Sequence, residues 1–348
     1  MPKGIFSQGI VVLLSEPITF NKMEQILNED FELFAKNENS EQWVFGGPSI
    51  LIPYRPEDNG FVTVDIVDRP WPDHMGDPED ENMLFGAWSL GYFGPFTFPG
   101  NLSHAAQQSW LYEDGGKNAA EHKAFIRIRS SYVLGKVEED VPVLPPDYDS
   151  AHEMLFLTMI AQNILQISEA LCYFNPNGEC LASDDMVDHL MERYSREGVL
   201  PLEIWSNIRM FNIPDHDQWV LMDTVGMGQL DTTDHEAVFM KDVYDPNDVV
   251  NFLRNTTVHL LANGPVIKNG DIIDGPGGVS WQGMTLDQGV AAPPRPVIRW
   301  FPVDGSERPA ELQGEKIETS QENDAEDGDA EDNEEQEKKG FFKKMFGV

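Results

Sequence analysis

The spacing of apolar and polar residues in the first 70 positions predicts one helix and several strands. Residues 8–14 form an apolar run that predicts a buried strand. Apolar side chains recur at near-helical spacing over residues 19–36, which predicts a helix there. Residues 49–53 are apolar and residues 61–67 alternate in character, so both predict strands.

The next 70 residues are less regular. Residues 70–83 are rich in proline and acid and predict a surface loop. Residues 85–100 combine six aromatic residues with glycine and proline and show no clean period. A short helix over 102–112 and a strand over 125–134 are expected to complete a first lobe.

A proline-rich segment at 141–146 predicts a boundary, because successive prolines disfavour both helix and central strand. Ser150 and Glu153 have the spacing of a capping box and predict the start of a helix that runs apolar to Leu171. Asn177-Gly178 then predicts a hairpin in which residue 175 faces 180.

The remaining elements mix strands and helices without strict alternation. Ser183 predicts a helix cap, and Asp245-Pro246 predicts a helix that ends at Asn263-Gly264. Strands are expected at residues 203–210, 218–224, 236–240 and 297–302. The predicted fold class is therefore α+β, with two lobes of mixed or antiparallel sheet, packed helices and a disordered acidic C-terminal tail.

Four segments follow from this pattern. Residues 1–140 form an N-terminal lobe and residues 147–304 a C-terminal lobe. Residues 305–337 are an acidic linker that is expected to be disordered, because it carries little apolar surface to bury and repels itself. Residues 338–348 form a basic amphipathic peptide.

The net charge of −36 is not confined to the tail. Residues 311–337 carry 13 acids and one lysine, and residues 338–348 carry four lysines, which leaves −28 on residues 1–310. Phosphate backbones would be repelled by such a body, so nucleic acid is not an expected partner. Basic partners and cations remain compatible with the charge.

No stretch of ~18 apolar residues predicts a membrane span, and the N-terminal apolar run lacks the features of a signal peptide. A cytoplasmic location is therefore expected. The expected hairpin places Cys172 and Cys180 out of register, so both are predicted to be reduced rather than joined in a disulfide.

Three motifs in the second lobe resemble a bacterial family known as the domain-of-unknown-function 4261 family. They are residues 170–174 before the glycine turn, residues 200–205 with the order Leu-Pro-x-x-x-Trp, and residues 223–227 followed by Glu236. Weaker similarity in the first lobe extends the resemblance over roughly residues 5–280. The family has no established activity, so the resemblance implies a related fold and little about function.

The acid-histidine segments are the strongest candidates for chemistry, and they remain weak. Histidine stands between acids in Asp215-His216-Asp217 and in Asp234-His235-Glu236, and Asp73-His74 is a third pair. Neighbours on a strand point to opposite faces, so each segment offers one or two ligands at most. No metal site, catalytic residue or cofactor is predicted, and the common nucleophile, phosphate-binding and zinc motifs do not occur.

Two further groups have alternative interpretations. Trp88, Tyr92, Phe93 and Phe96 are candidates for a ligand groove, and they are equally compatible with irregular core packing between lobes. Arg127 and Arg129 share one face of a strand and could hold an anion, although pairing with nearby carboxylates is the favoured interpretation.

The C-terminal peptide is the candidate for contact with a partner or a membrane surface. Phe341 is four residues from Met345, as Phe342 is from Phe346, so a helix would bring these side chains together. The full candidate set adds the charges to these side chains: Lys338, Lys339, Phe341, Phe342, Lys343, Lys344, Met345, Phe346. A protein partner, an anionic membrane and a disordered or self-docked tail all remain open.

The leading interpretation is a non-enzymatic binding or adaptor module that contacts a protein partner or anionic membrane through its C-terminal peptide. An enzyme with an acid-histidine site in the second lobe is one alternative. An acidic inhibitor that masks a basic protein is the other, since the body is strongly negative.

Overall fold

Two β-sheets and the helices packed on them are seen in the computed structural model, which describes residues 3–38, 43–135 and 144–313. The predicted basic peptide at 338–348 and the acidic linker beyond residue 313 lie outside the described residues. Residues 307–313 belong to a unit separate from the two sheets and contain a short 3₁₀ turn at Ala310–Leu312.

The first sheet has seven strands, and each neighbouring pair is antiparallel. In spatial order they are β2 (Ala35–Asn37), β3 (Ser49–Arg55), β4 (Gly60–Val67), β5 (Ala124–Ser131), β1 (Gln8–Leu14), β6 (Ala170–Asn175) and β7 (Cys180–Ala182). Every residue of β1 is buried, because helices cover both faces of the sheet.

The alternation of β1 decides which helices each face meets. Ile10 and Val12 belong to a core formed with α1 (Phe20–Asp30), α5 (Ser150–Leu165) and α6 (Asp184–Glu197). Val11 and Leu13 belong to the core on the other face, which is covered by three shorter helices. These are α2 (Asn82–Ser89), α3 (Asn101–Gln107) and α4 (Gly115–Glu121).

The second sheet has six strands and is mixed, since β10 and β13 pair in parallel while the other pairs are antiparallel. Its spatial order is β11 (Ile272–Asp274), β12 (Ser280–Leu286), β13 (Val297–Pro302), β10 (Asp234–Met240), β9 (Trp219–Val225) and β8 (Asn207–Asn212). α8 (Pro246–Asn263) packs against it through an aromatic core that includes Phe252, Trp281 and Trp300.

These sheets confirm the predicted α+β class with mixed and antiparallel sheets. The two sheets do not divide at the proline-rich segment, where the sequence placed the boundary between lobes. β6 and β7 follow that segment and complete the first sheet, so the change of sheet falls between residues 182 and 207. A single unit, Met1–Ser306, contains both sheets.

Three local predictions need correction. The helix over 19–36 ends at Asp30, because the following residues extend into β2, and Phe34 stacks on Phe61 with ring centroids 4.8 Å apart. The strand expected at 203–210 begins as a helical turn, α7 (Leu202–Trp205), and only then becomes β8.

The third correction concerns both ends of α5. The helix ends at Leu165 and not at Leu171, because Ala170 already belongs to β6. Asp149, not Ser150, caps the helix by accepting a hydrogen bond from the backbone N of His152. Glu153 therefore does not complete a capping box. It is buried and accepts hydrogen bonds from Ser7 Oγ at 3.0 Å and Tyr148 OH at 2.7 Å, and burial raises its pKa.

Other local predictions are confirmed. Asn175 faces Cys180 across the hairpin, and both cysteines are free and buried. Ser183 caps α6, and α8 begins at Pro246 after Asp245 and ends before Gly264. In the described part of the chain, no helix is long and apolar enough to cross a membrane.

Arg127 and Arg129 pair with a carboxylate, as favoured from the sequence. Both are buried, and Asp65 receives Arg127 Nη2 and Arg129 Nη2 at 2.7 Å each on separate oxygens. The backbone N of Gly47 also donates to Asp65. Burial alone would raise the pKa of Asp65, but the two guanidinium groups hold it below its usual value.

Replacing Asp65 with asparagine is predicted to destabilise the fold strongly, because two buried guanidinium groups would lose their counter-charge. Removal of one partner from a buried ion pair costs about 3–5 kcal/mol. Urea denaturation should show a loss of this size for Asp65→Asn. Asp68→Asn is the matched control, since that side chain is 72% exposed and should change stability little. Equal effects from both variants would contradict this account.

Candidate functional site: a buried ion-pair chain and a cleft

The turn between β6 and β7 lies directly against the start of the second sheet. Asn207 N donates to the carbonyl oxygen of Gly178 at 3.0 Å. A Cβ atom at Gly178 would lie 2.0 Å from the carbonyl oxygen of Trp205, so only glycine permits this approach. The residue that the sequence identified as a hairpin signal is therefore also the point where the two sheets meet.

Glu179, the next residue, begins a chain of buried charges. Its side chain is 2% exposed, and its backbone is in the left-handed region with φ of 49°. Its carboxylate receives Arg209 Nη1 at 2.7 Å and contacts His104 Nδ1 at 2.9 Å. The first sheet thereby supplies the counter-charge for an arginine on β8 of the second sheet.

Arg209 connects Glu179 to Asp223. The two residues lie opposite each other on β8 and β9, and Arg209 donates from Nε and Nη2 to the two oxygens of Asp223 at 3.0 and 2.6 Å. Asp223 also accepts from Arg295 Nη2 at 2.5 Å. Two carboxylates and two guanidinium groups therefore alternate in one buried network.

Asp234 lies at the end of this chain, in the wall of a cleft. Its Oδ1 accepts from Thr224 Oγ1 at 2.8 Å and from Met227 N at 3.3 Å. Its Oδ2 lies 3.3 Å from Arg295 Nε, without forming a hydrogen bond to it. Burial raises the pKa of Asp234, and the nearby Arg295 only partly offsets that effect.

The acid-histidine triplet on β10 is split between two faces. Glu236 accepts from Arg299 Nε at 2.8 Å on the same strand face as Asp234. His235 is buried on the other face, where Trp300 Nε1 donates to its Nδ1 at 3.3 Å. Burial, with the nearby charge of Arg254, lowers the pKa of His235 to about 3, so the imidazole is neutral.

The other two acid-histidine segments, residues 215–217 and residues 73–74, are not part of this ion-pair network. Asp215 has φ of 62° in the loop between β8 and β9. Asp73 accepts from Leu102 N at 3.0 Å and Ser103 N at 2.8 Å. Among residues 3–38, 43–135 and 144–313, no group of three or more histidine, cysteine or acidic side chains is placed to hold a metal ion.

The cleft has a volume of about 400 Å³. Its apolar lining consists of Phe96, Phe98, Val225, Pro293, Pro294 and Pro296. Its polar lining consists of Asn177, Asp231, Thr232, Thr233, Asp234 and Arg295. An apolar pocket with a few convergent polar groups is the usual form of a small-molecule site.

Two residues of this lining have a left-handed backbone, which is unfavourable for Phe96 and tolerated by Asp231. Phe96 has φ of 57° and Asp231 has φ of 55°. The left-handed region is unfavourable for a bulky side chain, and such strain is often found at ligand-binding positions. The position of Phe96 in the wall therefore depends on the packing around it, not on local preference.

The four aromatic residues predicted as a groove have different environments. Trp88 and Phe93 are buried core residues whose ring centroids are 4.3 Å apart. Tyr92 is half-buried against Phe6 and Phe45. Phe96 lines the cleft, so the structure brings one of the four to a candidate binding site.

Residues 223–301 match the model of a family described as a domain of unknown function, DUF4261. Over this segment the chain is similar to that family. The match confirms the resemblance for the end of β9, for β10 and α8, and for the strands that follow. Of the three motifs that suggested it, the third, at residues 223–227 with Glu236, lies inside the matched range.

The DUF4261 segment supplies most of the cleft. Asp223, Asp234 and Arg295 lie within it, while Phe96, Phe98 and Asn177 come from earlier in the chain. Neither the comparison with curated proteins nor the comparison with solved structures found a match for this chain. The cleft therefore joins a recognised family segment to residues outside the match.

His104 should make the stability of the fold depend on pH. Its hydrogen bond to Glu179 raises its pKa, so the charged form is favoured in the folded state. This contribution is fully present below the unfolded pKa of ~6.5 and is lost as pH rises through the higher folded pKa. Because the side chain is 40% exposed, the contribution is limited to about 1 kcal/mol.

Urea denaturation of the wild type and of His104→Gln should therefore show the larger difference at pH 5.5 and a smaller one at pH 8.5. The wild type should be the more stable protein at the lower pH. A difference in free energy of unfolding that stays constant across this range would contradict the assigned pairing with Glu179.

Proposed function

We propose that this protein is a non-enzymatic binding or adaptor module that contacts its partner through the C-terminal peptide, residues 338–348. We favour binding over catalysis because the charged groups of the ion-pair chain neutralise one another. Both oxygens of Asp223 receive guanidinium groups, and Arg295 is shared between Asp223 and backbone carbonyls. General acid-base or nucleophilic chemistry needs a group left available for the substrate.

The positions of the acid-histidine residues on β10 argue against the enzyme alternative. It required the acid-histidine segments of the second lobe to converge, and His235 lies on the opposite strand face from Asp234 and Glu236. The pairing of Glu236 with Arg299 further limits its use as a base. Binding is therefore the better-supported class of function.

The C-terminal peptide has the composition of a contact segment. Four lysines surround Phe341, Phe342, Met345 and Phe346, and the preceding acidic residues separate them from the folded unit. Each lysine contributes about 1 kcal/mol near an anionic surface, and the aromatic side chains add buried apolar area. Charge provides attraction that salt screens, whereas the aromatics provide the specific part of the contact.

Replacing Phe342 and Phe346 with serine is predicted to abolish recovery of the partner, because the contact would lose its buried aromatic area. Affinity purification or vesicle co-sedimentation of the full chain measures this. Replacing the four lysines with glutamine should weaken recovery mainly at low salt, where unscreened charge contributes most.

A chain in which residues 338–348 are scrambled is the matched control, since it keeps the charge and the aromatic content and changes the spacing. Loss of the partner in both the serine variant and the scrambled chain would support a specific peptide contact. Unchanged partners in the serine variant would contradict the adaptor function. A partner that survives both changes but dissociates in salt would instead favour the acidic-inhibitor interpretation.

A further inference from the structure

We propose that the cleft beside Asp234 is a binding site for a small organic cation, in which an ammonium group is carried on an aromatic or compact apolar body. This site is distinct from the C-terminal peptide, so the inference does not depend on the adaptor function. It rests on an unbonded carboxylate oxygen in the wall of the cleft, on the aromatic wall and on the size of the cleft.

One carboxylate oxygen of Asp234, Oδ2, accepts no hydrogen bond from the described residues. Arg295 donates through Nη2 to Asp223 and through Nη1 to backbone carbonyls, so both terminal nitrogens of its guanidinium group already have partners. Its Nε, the atom nearest Asp234 Oδ2, is buried and has no hydrogen-bond partner. Glu179 and Asp223 are matched by Arg209, Arg295 and His104, whereas Asp234 Oδ2 meets Arg295 Nε at 3.3 Å without a hydrogen bond. This oxygen is therefore the acceptor that the cleft leaves for a donor group of a ligand.

A second carboxylate stands at the edge of the same cleft. Asp231 is 36% exposed and lies 2.9 Å from Lys3 Nζ through Oδ2. Asp231 lines the cleft and has a left-handed backbone with φ of 55°. An ammonium group in the cleft would therefore meet the unbonded oxygen of Asp234, with the hydroxyl groups of Thr232 and Thr233 and the Lys3-paired Asp231 beside it.

The aromatic wall suits a cation with an apolar body. Phe96 and Phe98 line the cleft, and Phe98 is 39% exposed. The negative face of a phenyl ring attracts an ammonium group within about 6 Å of its centroid. Proline rings at residues 293, 294 and 296 supply further apolar surface for the rest of the ligand.

The net negative charge of the surrounding protein also favours a cationic ligand. Residues 1–310 carry a formal charge of −28, which raises the local concentration of cations and repels anions. A volume of about 400 Å³ lies at the small end of the range for ligand sites. The expected ligand is therefore a single ring or short chain with one ammonium group.

Isothermal titration calorimetry of the full chain with three probes of one shape tests this directly. The probes are 4-phenylbutylamine, 4-phenylbutanol and 4-phenylbutyrate, which differ in the charge of one terminal group. The amine is expected to bind at least tenfold more tightly than the alcohol, and the acid more weakly still. The affinity for the amine should fall as sodium chloride rises from 50 to 500 mM, because salt screens the attraction.

Two variants locate the site. Phe98→Ala should weaken amine binding at least threefold, whereas Phe34→Ala, which removes an exposed phenylalanine outside the cleft lining, should leave it unchanged. Asp234→Asn should reduce the preference for amine over alcohol while leaving alcohol binding intact. If Asp234→Asn does not fold, Asp231→Asn serves the same purpose, since asparagine also tolerates the left-handed conformation.

Equal affinity for the three probes would overturn the proposal, because the cleft would then be selecting apolar surface and not charge. So would the absence of measurable amine binding at 10 mM, or an equal loss from Phe98→Ala and Phe34→Ala. Failure here would leave the C-terminal contact untouched, because none of these variants changes residues 338–348.

Discussion

The sharing of the Arg209 guanidinium between Glu179 and Asp223 is the interaction on which the arrangement of the two sheets depends. Glu179 belongs to the first sheet's hairpin, whereas Arg209 and Asp223 belong to adjacent strands of the second. All three are nearly inaccessible to solvent. A buried charge that loses its partner is costly, so each member fixes the position of the next.

The same constraint positions the cleft. Asp223 holds Arg295, and Arg295 lies against Asp234, so the wall formed by the DUF4261 segment is oriented by residues that reach back to the first sheet. Gly178 allows the hairpin to approach closely enough for this chain to form. The segment matched by the family model therefore does not by itself contain the complete cleft.

The sequence predicted elements that depend on local chemistry. The register of Asn175 opposite Cys180 followed from turn length, and the limits of α8 followed from Asp245-Pro246 and Gly264. The capping box predicted at residues 150–153 was wrong because Asp149 caps the helix in place of Ser150. Glu153 is instead buried and bonded to Ser7, far away in the sequence. The role of Glu153 is thus set by a contact with Ser7 that leaves no signal in the local sequence.

The candidate site was predictable only in part. Alternation along a strand correctly separated His235 from Asp234 and Glu236, and it placed Arg127 beside Arg129. It could not pair Glu179 with Arg209, or Asp223 with Arg295, because these contacts join residues 30 and 72 positions apart. Of the cleft's aromatic residues, Phe96 was identified and Phe98 was not, since the segment has no period to show which rings face solvent.

Differential scanning calorimetry of the full chain tests the central claim that buried charges join the two sheets into one folding unit. The account predicts one transition in which the calorimetric and van't Hoff enthalpies agree, because Met1–Ser306 would unfold cooperatively. Glu179→Gln should lower the midpoint of that transition without splitting it. Two separate transitions in the wild type, one for each sheet, would contradict the account.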